Sequence, residues 1–399
     1  MKIKIAFFVF LLCLIKINAF SAIQITSETD LLKLMNQVSP FNDWSADYEL
    51  TTDLDMTGYT NSSVPYATKP IGNGFTEFTG AFEGNGFVIR NLNIDNGNND
   101  FSGFFGYIGS SGTVRSLGIE NATVAARGSH IGVFVGVNQG FITNCYAAGS
   151  ATGAASVSIF LGIGGFAGSN IYGIITNCYA TSSAMGIPIG NATFYHTSIG
   201  GFVGYNNYGT ISNCFASGNA SGYLNIGGFA GRNIYGIITN CYATGNASGD
   251  RGVGGFAGYC ANGSISYCYS LGIPSATTML NEGGFIGNSL GSPTYNCNFW
   301  NIETSGTEDA VGNMDPDPTG VTGLTDQQFS DPSNFSCFNF GNDWIMPSSL
   351  RYGDKFGNYP ILRSILFTFF IPTLTEWTVI IFVGLLAGVG GWFVWRKLV

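Results

Sequence analysis

An internal repeat dominates this sequence. Residues 227–249 read GGFAGRNIYGIITNCYATGNASG, and residues 164–186 read GGFAGSNIYGIITNCYATSSAMG. A unit of this size cannot bury its apolar residues alone, so a period in this range predicts stacked units, that is, a solenoid. The phenylalanine of the element recurs at spacings of 27 to 36 residues, at Phe105, Phe134, Phe166, Phe202, Phe229, Phe256 and Phe285.

The local pattern within each unit is typical of strands. In residues 238–243, ITNCYA, the alternation predicts that Ile238, Cys241 and Ala243 point inwards. Thr239 and Tyr242 are predicted to point outwards. Asn240 takes the corner, because asparagine tolerates a left-handed backbone and its amide can bond the next coil. Glycine and β-branched residues disfavour a helix here. The sequence therefore predicts an all-β fold, a right-handed parallel β-helix of about eight coils.

A second column follows the phenylalanines. Five of them are followed 12 residues later by cysteine, and Phe134 is followed by cysteine after 11 residues. Earlier units have Leu92 and Leu117 in this slot, so the slot is interior and the cysteines are predicted to be buried free thiols. The predicted structural ladders are Phe166, Phe202, Phe229, Phe256 and Phe285, and Cys145, Cys178, Cys214, Cys241, Cys268 and Cys297.

Disulfide bonds are the alternative for the cysteines. Export would permit them, but parallel side chains in adjacent coils make the bridging torsion awkward. Cys260 with Cys268, or Cys297 with Cys337, are better candidates for a bridge than the column itself. No metal site is expected, because no CxxC pair occurs and the histidines number only two, His130 and His196.

These repeats resemble the GLUG repeats of bacterial surface proteins. The segments TDLDMTG, PIG and FTGAFEGNGFVIRNLNI also resemble the lead-in to such repeats, including that of IgA-cleaving metalloproteases, and the likeness covers roughly residues 49–305. The resemblance implies a solenoid fold and leaves activity open. In those proteases the catalytic part is a separate zinc domain with a HExxH helix, which this sequence lacks.

Composition argues against nucleic-acid binding and against catalysis. The net charge is -9, so no basic stripe is available for phosphates, and the 58 glycines follow no collagen period. Between residues 131 and 290 the charged residues are Arg232, Asp250, Arg251 and Glu282 alone. Glycoside hydrolysis uses two carboxylates flanking the scissile bond, and Asp250 and Glu282 are better explained as solvated loop charges. We expect no catalytic residue and no cofactor.

The N-terminus predicts export. Lys2 and Lys4 precede an apolar run that ends at Ile15, and small residues follow near Ala19, which is the pattern of a cleaved signal peptide.

The C-terminus predicts a membrane span. Residues 377–395 carry no charge, Trp377 and Trp395 suit the two interfaces, and Arg396 and Lys397 belong on the cytoplasmic side. The tail resembles the bacterial IPTL-CTERM sorting signal, which implies processing by a membrane-embedded exosortase-type enzyme; a plain tail anchor is the alternative. The residues that carry this resemblance are Ile371, Pro372, Thr373, Leu374, Glu376, Trp377, Arg396 and Lys397.

A solenoid needs caps, because an open coil exposes strand edges and core. Ser27 is a predicted helix N-cap with Asp30 three residues later, and Leu31, Leu34 and Met35 fall on one face of that helix. The predicted segments are a signal peptide at 1–22, an N-terminal cap at 23–60, GLUG-type coils at 61–302, a C-terminal cap and stalk at 303–370, and the sorting signal at 371–399.

Two functions remain open at this point. The first is a non-catalytic protein of the cell envelope or cell surface with a role in adhesion or envelope structure. It would be anchored by its C-terminal helix or released, and its partner would be a glycan or a host-surface ligand. The second is a polysaccharide-active β-helix enzyme, a lyase or hydrolase, with its site in a longer insertion such as residues 182–198. The scarcity of acidic side chains favours the first.

Overall fold

The structure is a computed structural model that describes residues 22–63, 65–155, 161–188, 197–347 and 358–364. It confirms the all-β parallel solenoid, with about nine turns where the repeat predicted about eight. No helix among the described residues is long and apolar enough to cross a membrane. The predicted signal peptide and the predicted span at 377–395 lie outside the described residues.

Each full coil passes through five parallel strand positions, which we call the first to fifth faces. Successive coils pair in register, so every strand covers the edge of the one before it. The first face contains Ile23–Ile25, Tyr48–Leu50, Ala81–Glu83, Thr113–Arg115, Phe141–Thr143, Ile174–Thr176, Thr210–Ala216, Ile237–Ala243, Ser264–Ser266 and Thr294–Asn296.

Residues 210–216 and 237–243 continue round a corner into the second face. Its other strands are Leu54–Asp55, Val88–Arg90, Gly118–Ala126, Tyr146–Ala155, Tyr179–Ala180, Tyr269–Ser270, Asn298–Asn301 and Val321–Leu324. Residues 118–126 and 146–155 extend into the third face, which adds Asn93–Asp95, Ser183–Pro188, Ala220–Ser221, Ala247–Gly254 and Pro274–Gly283.

Residues 247–254 and 274–283 run on into the fourth face, which adds Ile131–Gly132, Leu161–Gly164, Thr197–Gly200 and Leu224–Gly227. The fifth face contains Phe105–Ile108, Val135–Asn138, Ala167–Ile171, Val203–Asn207, Ala230–Ile234, Ala257–Ala261 and Ile286–Leu290.

The repeated phenylalanines stack in the interior at the bend between the fourth and fifth faces. The rings of Phe202, Phe229 and Phe256 are fully buried, nearly parallel, and 4.9 to 5.0 Å apart between centroids. The glycines of the motif allow the sheets to come together at this bend. A Cβ on Gly231 would lie 2.3 Å from the backbone nitrogen of Ile199, so only glycine fits where the fourth and fifth faces press backbone against backbone.

The N-terminal cap forms as the sequence predicts. The helix Glu28–Met35 begins at Ser27, whose side chain accepts a hydrogen bond from the Asp30 backbone N–H. Leu31, Leu34 and Met35 are buried against the first coil. The Asp30 carboxylate also accepts a bond from the backbone N–H of Thr26, which extends the cap by one residue. The cap therefore closes the apolar end of the solenoid.

The C-terminal segment, described at residues 302–347 and 358–364, packs along the side of the solenoid. It contains the helices Ile302–Ser305 and Asp326–Phe329, the 3-10 helix Pro332–Phe335, and an antiparallel pair, Trp344–Ile345 with Ile361–Leu362. The Trp344 indole donates a hydrogen bond to the Asn240 side-chain oxygen, 104 residues earlier in the chain. The Tyr269 hydroxyl donates to the carbonyl of Pro360 over 2.5 Å.

This packing changes the environment of one predicted outward column. Tyr242 does point away from the interior, but only 6% of it is exposed, because its ring packs on Trp344 and lies between Phe215 and Tyr269. Burial raises the pKa of the Tyr242 hydroxyl well above its usual range. The second face thus has a covered aromatic surface under the C-terminal segment.

Candidate interaction surface

A column of cysteine thiols lies in the interior of the solenoid, in the slot where the sequence predicts it. Its members, all fully or almost fully buried and free, are Cys145, Cys178, Cys214, Cys241 and Cys268. The backbone N–H of Cys145 faces the sulfur of Cys178 at 3.4 Å, and each thiol donates to a carbonyl two residues earlier, as Cys241 does to Thr239. Burial raises the pKa of the Cys145 and Cys241 thiols, so they remain protonated.

Cys297 does not belong to this column, contrary to the prediction. Its coil has one extra residue in the corner, since Ala261 pairs with Leu290 and Ser264 with Thr294. The extra residue moves Asn298 into the interior slot, where its side-chain oxygen accepts the backbone N–H of Cys268 at 3.1 Å. Cys297 takes the left-handed corner position with φ 56°. Its side chain therefore points out of the core.

Cys297 instead forms a disulfide with Cys337, one of the two bridges that the sequence allowed. The bridge ties the C-terminal segment to the last coils of the solenoid. Cys260 and Cys268, the other pair considered, are both free. Cys260 lies in a different column, 3.9 Å from the amide nitrogen of Asn233.

That column is a buried asparagine ladder, which the sequence reasoning missed. The amide of Asn170 donates to Asn206 over 2.9 Å, and Asn206 donates to Asn233 over 2.8 Å. Each amide also donates to the carbonyl of the glycine three residues later, over 3.1 Å for Asn206 and Gly209. Both N–H groups are therefore used in a buried site, where an unused one would be costly. The signal was present, because asparagine recurs four residues after Phe134, Phe166, Phe202 and Phe229.

The asparagine ladder supports an exposed row of rings, which we call the tyrosine ladder: Tyr172, Tyr208 and Tyr235. Each tyrosine has a left-handed backbone, with φ between 52° and 58°, at the corner between the fifth and first faces. The following glycine packs on the asparagine amides, and a Cβ on Gly209 would lie 2.2 Å from the amide nitrogen of Asn170. The buried amides therefore require glycine after each of these tyrosines, because a larger residue would collide with them.

The rings of the tyrosine ladder stack on one another along the solenoid axis. Their centroids are 5.1 Å apart between Tyr172 and Tyr208 and 4.7 Å apart between Tyr208 and Tyr235, with interplanar angles of 12° and 9°. Their exposed fractions are 66%, 48% and 47%. Because the ring faces are turned to each other, the ladder presents ring edges and hydroxyl groups to solvent at the spacing of the coils.

On the first-face side the surroundings of the tyrosine ladder are apolar and uncharged, whereas on the fifth-face side Arg232 lies three residues before Tyr235. Phe141, Ile174 and Ile237 are exposed on the neighbouring positions of the first face. Beyond them runs a row of hydroxyl side chains, in which Ser212 donates to Thr176 over 3.0 Å. The first-face strands from residue 141 to 266 contain no charged residue. The corner thus repeats an aromatic edge and a hydroxyl group next to an apolar strip and a row of hydroxyl side chains.

The two carboxylates considered as a catalytic pair, Asp250 and Glu282, are engaged in separate contacts. Asp250 pairs with Arg251 at 3.2 Å and accepts a bond from Thr277. The Glu282 carboxylate accepts the backbone N–H of Ala276. The Arg232 guanidinium lies over the Tyr259 ring at 4.7 Å from its centroid. Within the described residues no group of three or more His, Cys, Asp or Glu side chains is placed to hold a metal ion.

One nucleophile–base geometry does occur. His130 Nδ1 and Ser169 Oγ lie 2.6 Å apart, and the His130 ring stacks on Phe101. Burial lowers the pKa of His130 to about 4. Ser169 is completely buried, however, and a nucleophile has to reach its substrate. The pair therefore contributes a hydrogen bond inside the fold. His196 and every predicted sorting residue, 371–374, 376, 377, 396 and 397, lie outside the described residues.

The fold and its columns define a parallel β-solenoid built from short glycine-rich repeats. Three segments, 161–184, 195–221 and 222–248, match the family described as the GLUG motif. The chain therefore carries GLUG repeats, as its sequence predicted.

Two curated relatives match parts of the chain. Halomucin of Haloquadratum walsbyi is 32% identical over 139 residues, which is 34% of this chain and 2% of halomucin. A protein of Evansella cellulosilytica, named as a candidate Gly-rich membrane protein, is 32% identical over 99 residues, which is 24% of this chain and 11% of the relative. The chain thus spans only a small part of either relative's length.

One solved structure is similar over most of the chain. It is the crystal structure of a candidate immunoglobulin A1 protease from Bacteroides ovatus, with 19% identity and a TM-score of 0.52. The similarity covers 87% of this chain and 93% of the other. At this identity the likeness concerns the fold alone.

Proposed function

We propose that this chain is an exported, non-catalytic protein of the cell envelope or cell surface that binds an extended neutral polymer through the tyrosine ladder. The observation that carries the proposal is the exposed row of Tyr172, Tyr208 and Tyr235 at the edge of the uncharged part of the first face. Tyrosine provides large contact area and a hydrogen-bonding hydroxyl with little loss of conformational freedom, and it is enriched at binding surfaces. Because the tyrosines are regularly spaced, the row suits a ligand whose own chemical groups repeat along its length.

A polysaccharide is the ligand that fits these features best. Its hydroxyl groups can pair with the phenol hydroxyls and with the Ser/Thr row beside them, and its carbon-bound hydrogens can lie on Ile174 and Ile237. The buried asparagine ladder holds the corners in place before the ligand arrives, so little ordering accompanies binding.

The test is a glycan array probed with the purified protein and with the double variant Tyr208→Ala/Tyr235→Ala. We expect the parent to bind at least one class of neutral polysaccharide and the double variant to lose at least tenfold in affinity, which corresponds to about 1.4 kcal/mol. Met314→Ala, which removes an exposed apolar side chain elsewhere on the C-terminal segment, is the matched control. Equal binding by the parent and the double variant would refute the role of the ladder.

Catalysis is tested on the same material. Reducing-end assays on pectin, alginate and glucan panels are expected to show no turnover, because the acidic side chains of the central coils are engaged in separate contacts. Turnover by the parent that disappears in Asp250→Asn or Glu282→Gln would refute the non-catalytic proposal and support the polysaccharide-active enzyme.

The location rests on the two ends of the chain and on the names of the partial relatives. A basic, apolar leader and an apolar tail followed by Arg396 and Lys397 would place the solenoid outside the membrane. Proline restricts its own φ and disfavours a helical conformation at the preceding residue, so the Ile-Pro sequence at 371–372 would favour the extended backbone that suits a transpeptidase cleft. In a host with the sorting system, the native protein should lose its C-terminal peptide and a Pro372→Ala/Thr373→Ala variant should keep it. If both proteins had the mass of the full-length chain, the tail would act as a plain membrane anchor.

A further inference from the structure

A second, unrelated surface lies at the junction between the N-terminal cap and the first coils. A cleft of about 560 Å³ opens there. It is bordered by the end of the cap helix at residues 35–37, by the turn at 72–75 and by the loop at 96–101. Its volume is in the range of pockets that bind small ligands.

The turn at the mouth of this cleft exposes a phenylalanine side chain to solvent. Phe75 is 101% exposed, so neither face of its ring is covered by the protein. The turn is nevertheless well braced: the Asn73 side chain accepts the backbone N–H groups of Phe75 and Thr76, over 2.9 and 3.0 Å. Gly74 lies against the Phe101 ring, where a Cβ would be 2.7 Å from a ring carbon. The backbone of the turn is therefore held in place, while the ring of Phe75 stays in solvent, where its exposure is unfavourable.

The rest of the lining is polar and has spare hydrogen-bonding capacity. Among the described residues, the side chains of Gln37, Lys69 and Asn98 have no hydrogen-bond or ion-pair partner. The Asp100 carboxylate bonds the backbone N–H of Ser129 through one oxygen, at 2.5 Å. One cation and one carboxylate balance each other, so the lining favours a neutral ligand with many hydroxyl or amide groups.

We propose that this cleft binds the end of a short neutral saccharide, with a sugar ring packed on the face of Phe75 and its polar groups bonded to Lys69, Asn98 and Asp100. The tyrosine ladder offers ring edges and suits the side of a long chain. The cleft offers a free ring face and a bounded volume of about 560 Å³, so it suits a short saccharide or the terminus of a chain. The two sites share no residue, and the cleft proposal stands without the ladder.

The test uses the full-length chain in a detergent without a sugar headgroup. Saturation-transfer NMR would be recorded with cellobiose, lactose and N,N′-diacetylchitobiose as probes. We expect transfer to at least one disaccharide, and a loss of about tenfold in affinity in Phe75→Ala, as removal of one aromatic contact implies. Phe75 is wholly exposed, so this variant should fold as the parent does, which its melting temperature would verify.

Two further variants separate this proposal from the previous one. Met314→Ala and the double variant Tyr208→Ala/Tyr235→Ala should both keep the parent's transfer, since neither alters the cleft. Transfer that is lost in the ladder variant and kept in Phe75→Ala would assign the disaccharide to the ladder and overturn the cleft. Absence of transfer to all three probes would overturn it as well.

Discussion

Replacement of Phe229 by alanine tests the repeat at its centre. The Phe229 ring is fully buried between Phe202 and Phe256, with centroids 4.9 and 5.0 Å away and interplanar angles of 6° and 3°. A buried phenylalanine removes about 150 to 250 Å² from water, worth about 4 to 6 kcal/mol at about 25 cal/mol/Å². Alanine keeps the Cβ, so we expect the free energy of unfolding to fall by about 3 to 5 kcal/mol.

Phe229→Leu refines the same measurement. Leucine restores most of the volume and removes both stacked ring contacts, so the loss should be about 1 to 2 kcal/mol. The assay is urea unfolding followed by far-UV circular dichroism. Phe75→Ala is the matched control, because it removes the same atoms from a fully exposed site and should change the free energy of unfolding by no more than about 0.5 kcal/mol. If Phe229→Ala and Phe75→Ala gave the same value, the interior stack would be refuted.

Three other perturbations address the columns and the C-terminal segment. Cys241→Ala should lower the free energy of unfolding by about 1 to 2 kcal/mol, and Cys241→Asp should prevent folding because it buries a charge; a normal urea midpoint for the aspartate variant would contradict this. His130 has a folded pKa of about 4 and an unfolded value near 6.5, so the unfolded chain takes up a proton first; stability should fall by up to about 3 kcal/mol from pH 6.5 to pH 4, and urea midpoints of His130→Gln should lack this component. Cys297→Ser opens a loop of 40 residues and should cost about 2 to 4 kcal/mol; a red-shifted emission of the buried Trp344 would report release of the segment, and an unchanged spectrum would argue against its role.

Much of the candidate surface was not evident in the sequence. The tyrosines at 172, 208 and 235 recur in register, yet a recurring tyrosine can be either covered or exposed. Tyr242 and Tyr235 illustrate this, because both point away from the interior of the same coil, with 6% and 47% exposed. The C-terminal segment covers the first and leaves the second uncovered. The cleft at Phe75 was also not predicted, because its walls come from three separate stretches of chain.

The sequence by itself determined the coil. Its period specified parallel stacking, and its alternation placed Phe229, Ile238 and Cys241 in the core, because each strand must bury the same face as its neighbours. The tertiary structure decided the features that depart from the repeat. One extra residue at a corner turned Cys297 out of the column and towards Cys337, and Trp344 reached back to Asn240. Such contacts depend on where a non-repeating segment packs, and no periodicity within the chain encodes that position.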